Sequence, residues 1–311
     1  MTAQRFEGCL LGMMVGDAIG LPVEGLSPTR RQRLFGELTD HRLFRARGMV
    51  SDDTAHAIMT AQALVASGGD PERFGRELAG RLRLWFLSLP PGMGLATVRA
   101  CLKLLIGFPH TQSGVFSAGN GPAMRAPIIG VFCADDASDH RLRALIRVST
   151  RITHTDPKAE QGALEIAQAA QKSPIAKPEG ARGRILAGPV SGYIVATVEA
   201  ALSLVAQHPD DVRVAIIETV ALGGDTDTVA AIVGGILGAH LGSEAIPSNW
   251  LNGIIEPWWT PKRLKKLAVQ LAEVVQTGVP QRPDANFWLP THALLLPIVL
   301  FHGFRRLFPP Y

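Results

Sequence analysis

Apolar residues recur three and four positions apart along most of this chain, the spacing that gathers them on one helix face. Residues 53–66 are the first clear case, with Ile58, Met59, Ala63 and Val65 as the predicted inner face. Residues 71–87 open on Pro71, which suits the first turn of a helix. The same pattern predicts helices over 95–106, 140–152, 157–171, 188–206 and 212–222. Residues 262–276 read as an amphipathic helix with Leu264, Leu267, Leu271, Val274 and Val275 on one side. Residues 226–241 are apolar nearly all round, the mark of a helix inside a large core. No sustained period-two alternation appears, so strands are not expected. Gly and Pro mark loops at 90–92, 107–121 and 172–183. The expected fold is all-α, a single compact multi-helix domain without internal repeats.

Composition narrows this picture. The chain has 311 residues, of which 47% are apolar and 19% charged, enough apolar material for a large core and too little charge for a disordered chain. Lys plus Arg exceeds Asp plus Glu by 31 to 27, and the sequence shows no clustered basic face, so stable nucleic-acid binding is not expected. Cys9, Cys101 and Cys133 are too few and too scattered for a disulfide framework and read as buried thiols of a cytoplasmic protein. Glu7 and Asp17 bracket the apolar run from Cys9 to Val15, which argues against a signal peptide. The apolar run from Ala293 to Phe301 contains Pro297 and is too short to cross a bilayer. It belongs to a tail, 281–311, that turns basic at Arg305-Arg306. The tail reads as a helix packed on the body or on a second subunit, or as a peripheral membrane contact. Oligomeric state is left open.

Two acidic clusters carry the candidate chemistry. Ser51-Asp52-Asp53-Thr54 stands at one predicted helix start and Gly223-Gly224-Asp225-Thr226-Asp227-Thr228 at another. Each places two carboxylates and a hydroxyl within one turn, an all-oxygen set suited to a hard cation such as Mg²⁺ or Mn²⁺. Ser, Asp and Thr are also the preferred helix N-caps, and acids are favoured at that end, so capping competes with metal binding at each cluster. Asp225 and Asp227 lead straight into an apolar run, where uncompensated carboxylates are costly, and this weakens the capping reading. Between the clusters, Gly119-Asn120-Gly121 allows backbone N–H groups to approach a phosphate, or is a plain turn. His154 lies just ahead of the helix that begins at Pro157 and reads either as a packing residue or as a site residue.

Taken together, these segments resemble the ADP-ribosylglycohydrolase family, which includes the dinitrogenase-reductase-activating glycohydrolases. The likeness begins at Gly8-Cys9-Leu10-Leu11-Gly12 and Gly16-Asp17-Ala18-Ile19-Gly20-Leu21-Pro22-Val23-Glu24. It continues through Ser51-Asp52-Asp53-Thr54, Gly119-Asn120-Gly121 with Met124-Arg125, and His154, and ends at the second acidic cluster, in the family's order. The resemblance implies a compact all-α catalytic domain over 1–280 with two Mg²⁺ or Mn²⁺ ions. It implies Ser51, Asp52 and Asp53 as one ligand group and Asp225, Asp227 and Thr228 as the other. Glu24 corresponds to an acidic residue on the loop after the first helix that reaches the site and moves when substrate binds. Gly119, Asn120, Gly121 and His154 correspond to residues around the bound ADP-ribose. Asp17 belongs to the signature and reads as structural. Ser51 departs from the threonine of many members but keeps the hydroxyl.

The activity implied is release of ADP-ribose from a modified acceptor, an arginine side chain of a protein being the first expectation. Asp53 or Asp227 is expected to orient the attacking water, with Glu24 assisting proton transfer. The Gly119–Gly121 backbone is expected to hold the diphosphate. Two alternatives accompany this reading: hydrolysis of a small-molecule or nucleic-acid conjugate of ADP-ribose, and a non-catalytic binding homologue.

Overall fold

The computed structural model describes residues 3–44, 46–136, 138–172, 188–305 and 308. In chain order its helices are α1 Ala3–Gly20, α2 Pro28–Phe35, α3 Asp52–Ser67, α4 Pro71–Leu87 and α5 Leu95–Leu105. Next come α6 Ala126–Phe132, α7 His140–Arg151, α8 Pro157–Gln171, α9 Ile194–Gln207 and α10 Val212–Leu222. The last four are α11 Thr226–Leu241, α12 Ser248–Gly253, α13 Pro261–Thr277 and α14 Leu289–Arg305. Only isolated β-bridges occur among the described residues, so the fold is all-α.

At the centre, α1 and α11 share the most extensive contact in the molecule. Beyond the polar first turns of α1, both are apolar nearly all round and buried along almost their whole length. Small residues explain how closely they pack. Gly8, Gly12 and Gly16 of α1 face the carbonyls of Gly238, Gly234 and Ala230, and a Cβ at Gly16 would lie 2.1 Å from the Ala230 oxygen. Gly20 ends the stripe, where a Cβ would lie 2.5 Å from Cα of Asp227. The close approach therefore brings the C-terminal end of α1, with Asp17, against the acidic start of α11. The stretch Ala3–Val23 is long and apolar enough to cross a membrane, but 94% of it is buried inside the fold, as befits a core helix.

Sequence patterning and structure agree closely where helices have clear stops: α4, α8, α10 and α11 run as expected. Within α13, Leu264, Leu267, Leu271 and Val274 are buried and Val275 packs against the same core. The helix expected over 188–206 begins only at Ile194. Residues 188–193 instead run extended, with Val190 bridged to Gly224 and Tyr193 to Gly119. Their backbone groups are taken up by these neighbours, and the Gly188-Pro189 and Ser191-Gly192 pairs interrupt helical geometry. Of the loop expected at 172–183, residues 173–183 lie outside the described residues.

The three thiols are buried and unpaired. The start of the tail packs on the body through Trp288, Thr291, His292 and Leu295, all buried. Leu300, Phe301 and Phe304 of α14 point outward, each more than 60% exposed. A basic stripe absent from the linear reading appears on α7: His140, Arg143, Arg147 and Arg151 line one groove beside α8. The 140–152 segment hides it because buried residues interrupt the cations in sequence and the helix repeat reunites them in space.

Candidate active site

The two acidic clusters, 170 residues apart in sequence, meet at the floor of one cleft of about 600 Å³. Glu24, Asp52, Asp225, Asp227 and Thr228 line it, as do Gly119, Asn120, Gly121 and His154. Ser51 and Asp53 lie just behind, 9% and 1% exposed. The Thr228 hydroxyl donates to Oδ2 of Asp53 at 3.2 Å and so joins the two clusters directly. Ser51 donates to the same oxygen at 3.3 Å.

Asp17 explains how the first cluster is presented. Its carboxylate accepts from the Ser51 N–H at 2.9 and 3.1 Å, from the Thr54 N–H at 3.1 Å, and from the Thr54 hydroxyl at 2.5 Å. A side chain from α1 thus satisfies donors at the start of α3, while the Ser51 hydroxyl accepts from the Asp53 N–H at 3.3 Å. The carboxylates of Asp52 and Asp53 are relieved of capping and face the site.

The second cluster is built differently. Gly223 and Gly224 have φ of +74° and +83°, values that a side chain disfavours, and a Cβ on Gly224 would lie 2.0 Å from the Val190 carbonyl. That turn is laced on both sides. Gly25 N–H donates to the Gly224 carbonyl at 2.7 Å, Gly224 N–H to Leu26 at 2.9 Å, and Asp225 N–H to Val190 at 2.8 Å. The loop that follows Glu24 is thereby fixed beside Asp225. The amide of Asn120 donates to Asp225 Oδ2 at 2.6 Å and to the Thr197 hydroxyl at 3.0 Å, and so orients that carboxylate.

The electrostatics are one-sided. Burial, and then the charge of neighbouring carboxylates, pushes Asp52, Asp53 and Asp227 well above the usual carboxylate range. Burial raises Asp17 to about 6, against the opposing pull of its bonds from Thr54 and Ser51. Oδ1 of Asp53 and Oδ1 of Asp227 are buried without a hydrogen-bond partner. Such atoms are costly unless something positive meets them. One oxygen each of Asp17, Asp53 and Asp227 lie within 4.8 Å of one another, a spacing open to a shared cation. Hydrogen bonding divides the three: Asp17 is already engaged by Ser51 and Thr54, while Asp53 and Asp227 each keep a bare oxygen. An all-oxygen set with such atoms fits a hard divalent ion.

On the opposite wall the structure modifies the expectation for Gly119–Gly121. The Gly119 N–H donates to Ser117 Oγ at 3.2 Å and the Asn120 N–H to the Gly192 carbonyl at 3.0 Å. Two of the three N–H groups expected to cradle a diphosphate are therefore engaged within the protein. The glycines also serve close packing: a Cβ on Gly121 would lie 2.9 Å from Cε1 of His154. His154 is 3% exposed, with Nδ1 2.9 Å from the Thr153 hydroxyl, which accepts from Nη2 of the buried Arg125 at 2.7 Å. Burial, then the Arg125 charge, lowers His154 to about 3, so its ring is neutral.

Sequence reasoning missed Val190, Ser191, Gly192 and Thr197 and read Asp17 only as structural. The Gly188-Pro189 and Ser191-Gly192 pairs were the available signal for the cleft segment. Asp17 lay inside an apolar helix, where a carboxylate needs a partner.

Comparison with known proteins places this architecture. The ADP-ribosylglycohydrolase family profile matches residues 1–181 and 164–280. An ADP-ribosyl-[dinitrogen reductase] glycohydrolase of Rhodospirillum rubrum is 28% identical, the match covering 80% of this chain and 89% of that one. The ADP-ribosylarginine hydrolase Tri1 of Serratia proteamaculans is 27% identical, with 87% and 79% covered. A solved structure described as an ADP-ribosylglycohydrolase-related protein complex superposes with a TM-score of 0.70 at 29% identity, covering 88% of this chain and 98% of that chain. The fold, the ordered motifs and the cleft at which they converge make this chain a member of the ADP-ribosylglycohydrolase family.

Proposed function

We propose that this protein is a divalent-metal-dependent hydrolase that releases ADP-ribose from an ADP-ribosylated protein, with arginine as the acceptor side chain. The observation that carries the reading is the pair of bare, buried oxygens on Asp53 and Asp227 at the cleft floor, where Thr228 ties the start of α11 to Asp53. The relatives named for ADP-ribosylated dinitrogen reductase and ADP-ribosylarginine support a protein acceptor.

Ser51, Asp52 and Asp53 on one side, and Asp225, Asp227 and Thr228 on the other, are the residues that would hold two Mg²⁺ or Mn²⁺ ions. Bound there, such ions would supply positive charge toward ribose hydroxyls and would make a nearby water more acidic. The remaining steps belong to the chain. Asp53 or Asp227, the carboxylates that keep a bare oxygen, orients the attacking water and takes its proton. Glu24 lines the cleft near Asp225 and assists proton transfer as the acceptor leaves. The neutral His154 ring and the side-chain-free Gly119 and Gly121 form a smooth wall along which the diphosphate lies. Phe116, 80% exposed and directly before the cleft-lining Ser117, offers a ring for stacking a base. Binding the unreactive nucleotide end in this way orients the reacting ribose. The three buried thiols suit a reducing compartment, the cytoplasm.

The test is release of ADP-ribose from a protein ADP-ribosylated on arginine, with Mg²⁺ or Mn²⁺ and with EDTA. Metal-dependent release is expected. Release from serine-, carboxylate- or DNA-linked ADP-ribose alone would move the acceptor. No release from any conjugate would overturn the hydrolase reading.

A further inference from the structure

Helix α14 lies beyond the last family-matched residue, 280. It packs on the segment that carries Glu24. Leu295, 2% exposed, forms a small apolar cluster with Leu21, Leu43 and Met49, apart from the main core, and Ile298 and Val299 pack against it. One helical turn on, His302 donates from Nε2 to the Leu43 carbonyl at 2.7 Å. Upstream, the Thr291 hydroxyl donates to buried Glu256, and His292 Nδ1 lies 2.8 Å from Ser88 Oγ. The helix is thus pinned at several points along its length.

Glu24 borders two spaces. On one side is the cleft. On the other is a cavity of about 90 Å³ that Glu24 and Leu21 share with Leu43, Val299, His302 and Gly303. On the cleft side the loop is held by the paired bonds of Gly25 and Leu26 with Gly224. On the far side the cavity is walled by Val299, His302 and Gly303 of α14 together with Leu43, which His302 holds.

We propose that α14 is a positioning element for the reaction, with His302 its key residue: by closing the space behind Leu21–Glu24 it keeps the Glu24 carboxylate on the cleft side. The inference rests on the proposed function only for the part Glu24 plays in turnover. The physical reason is local. The backbone bonds of the segment are its own turns, Glu24 to Leu21 and Leu26 to Val23, and the pair with Gly224 on the cleft side, so the opening free energy on the far side depends on what packs there. Removing the His302 bond to Leu43 leaves a buried carbonyl without its donor. The Leu43 segment then loosens under Leu21, and Glu24 gains room to withdraw.

The experiment compares wild type, His302→Ala and His302→Gln as full-length proteins. Hydrogen exchange is read without substrate, so its outcome does not depend on the acceptor or on turnover. Exchange at residues 21–26 is expected to rise roughly tenfold in His302→Ala, with α7 and α8 unchanged, and to return toward wild type in His302→Gln, whose amide N–H reaches the same carbonyl. In activity, His302→Ala is expected to lower kcat about fivefold in the wild-type background and to have little further effect in Glu24→Ala. An even rise in exchange across the chain, or the same fold-loss with and without Glu24, would overturn the proposal and leave α14 a purely stabilising addition.

Discussion

The starts of α3 and α11 look alike in sequence, two acids and a threonine in one turn, yet the fold treats them differently. At α3 a separate carboxylate, Asp17, caps the helix and Ser51 completes the cap. At α11 no side chain caps the helix, and the acidic turn is instead held from outside by Gly25, Leu26 and Val190. Different devices reach the same end: in both, the cluster's acids are spared the capping role that Ser, Asp and Thr usually fill. That frees carboxylates to crowd together at one point, which is destabilising by itself and useful to a cation. Capping, the bland reading of either motif alone, is true of α3 but is carried there by Asp17 and Ser51.

The most severe way to break this arrangement is to empty the α11 side. Asp225→Ala with Asp227→Ala is expected to abolish divalent-metal binding, and turnover with it, by a factor of roughly 10³ or more, measured by calorimetry and ADP-ribose release. The metal-free double variant is expected to melt at or above wild type, because buried like charges have been removed.

Removing the cap at α3 is expected to act more mildly. Asp17→Asn keeps the size but turns one acceptor into a donor that faces the N–H groups of Ser51 and Thr54. Loss of a partner that orients ligands costs about 10- to 100-fold in metal affinity. Titration with Mn²⁺ checks this. If Asp17 were itself an indispensable ligand, binding would vanish as in the α11 double variant.

The change with the smallest expected effect on metal binding and turnover lies outside the cleft. Burial raises Glu256 to about 7, against its bonds from Thr291, Trp258 and Trp259, and the Asp17 charge raises it further. A carboxyl raised on folding is protonated in the native state while the unfolded chain has already ionised. Its contribution is present below the unfolded value, near 4.5, and is lost as pH rises through about 7. Glu256→Gln removes that dependence. Relative to wild type it is expected to gain stability between pH 5 and 8, by about 2–3 kcal/mol, read from melting curves at each pH. A difference that stayed flat with pH would show that Glu256 ionises normally.

Much of this was legible in the sequence because helices announce themselves locally. Pro71, Pro157 and the apolar run from Val229 fixed α4, α8 and α11, and the Ser51 and Asp225 motifs marked where side chains of interest begin. The meeting of the two motifs came from the family resemblance, since spacing within one helix says nothing about a partner 170 residues away. The extended segment at 188–193 was missed because its apolar residues also fit a helix, and only its pairing with Gly223–Asp225 decides otherwise. The role of Asn120 was hidden for the same reason. As part of a glycine turn it read as phosphate-binding, while its amide reaches Asp225 across 105 residues. The α7 stripe needed the helix to gather His140, Arg143, Arg147 and Arg151 on one side.

The central claim is that both helix starts serve one divalent-metal centre. Mn²⁺ binding, followed by calorimetry and by the paramagnetic signal of the free ion, tests it most directly in wild type, Asp52→Ala/Asp53→Ala and Asp225→Ala/Asp227→Ala. Two ions in wild type, with both double variants losing binding, is the predicted result. Undiminished Mn²⁺ binding in either double variant would contradict a centre shared between α3 and α11.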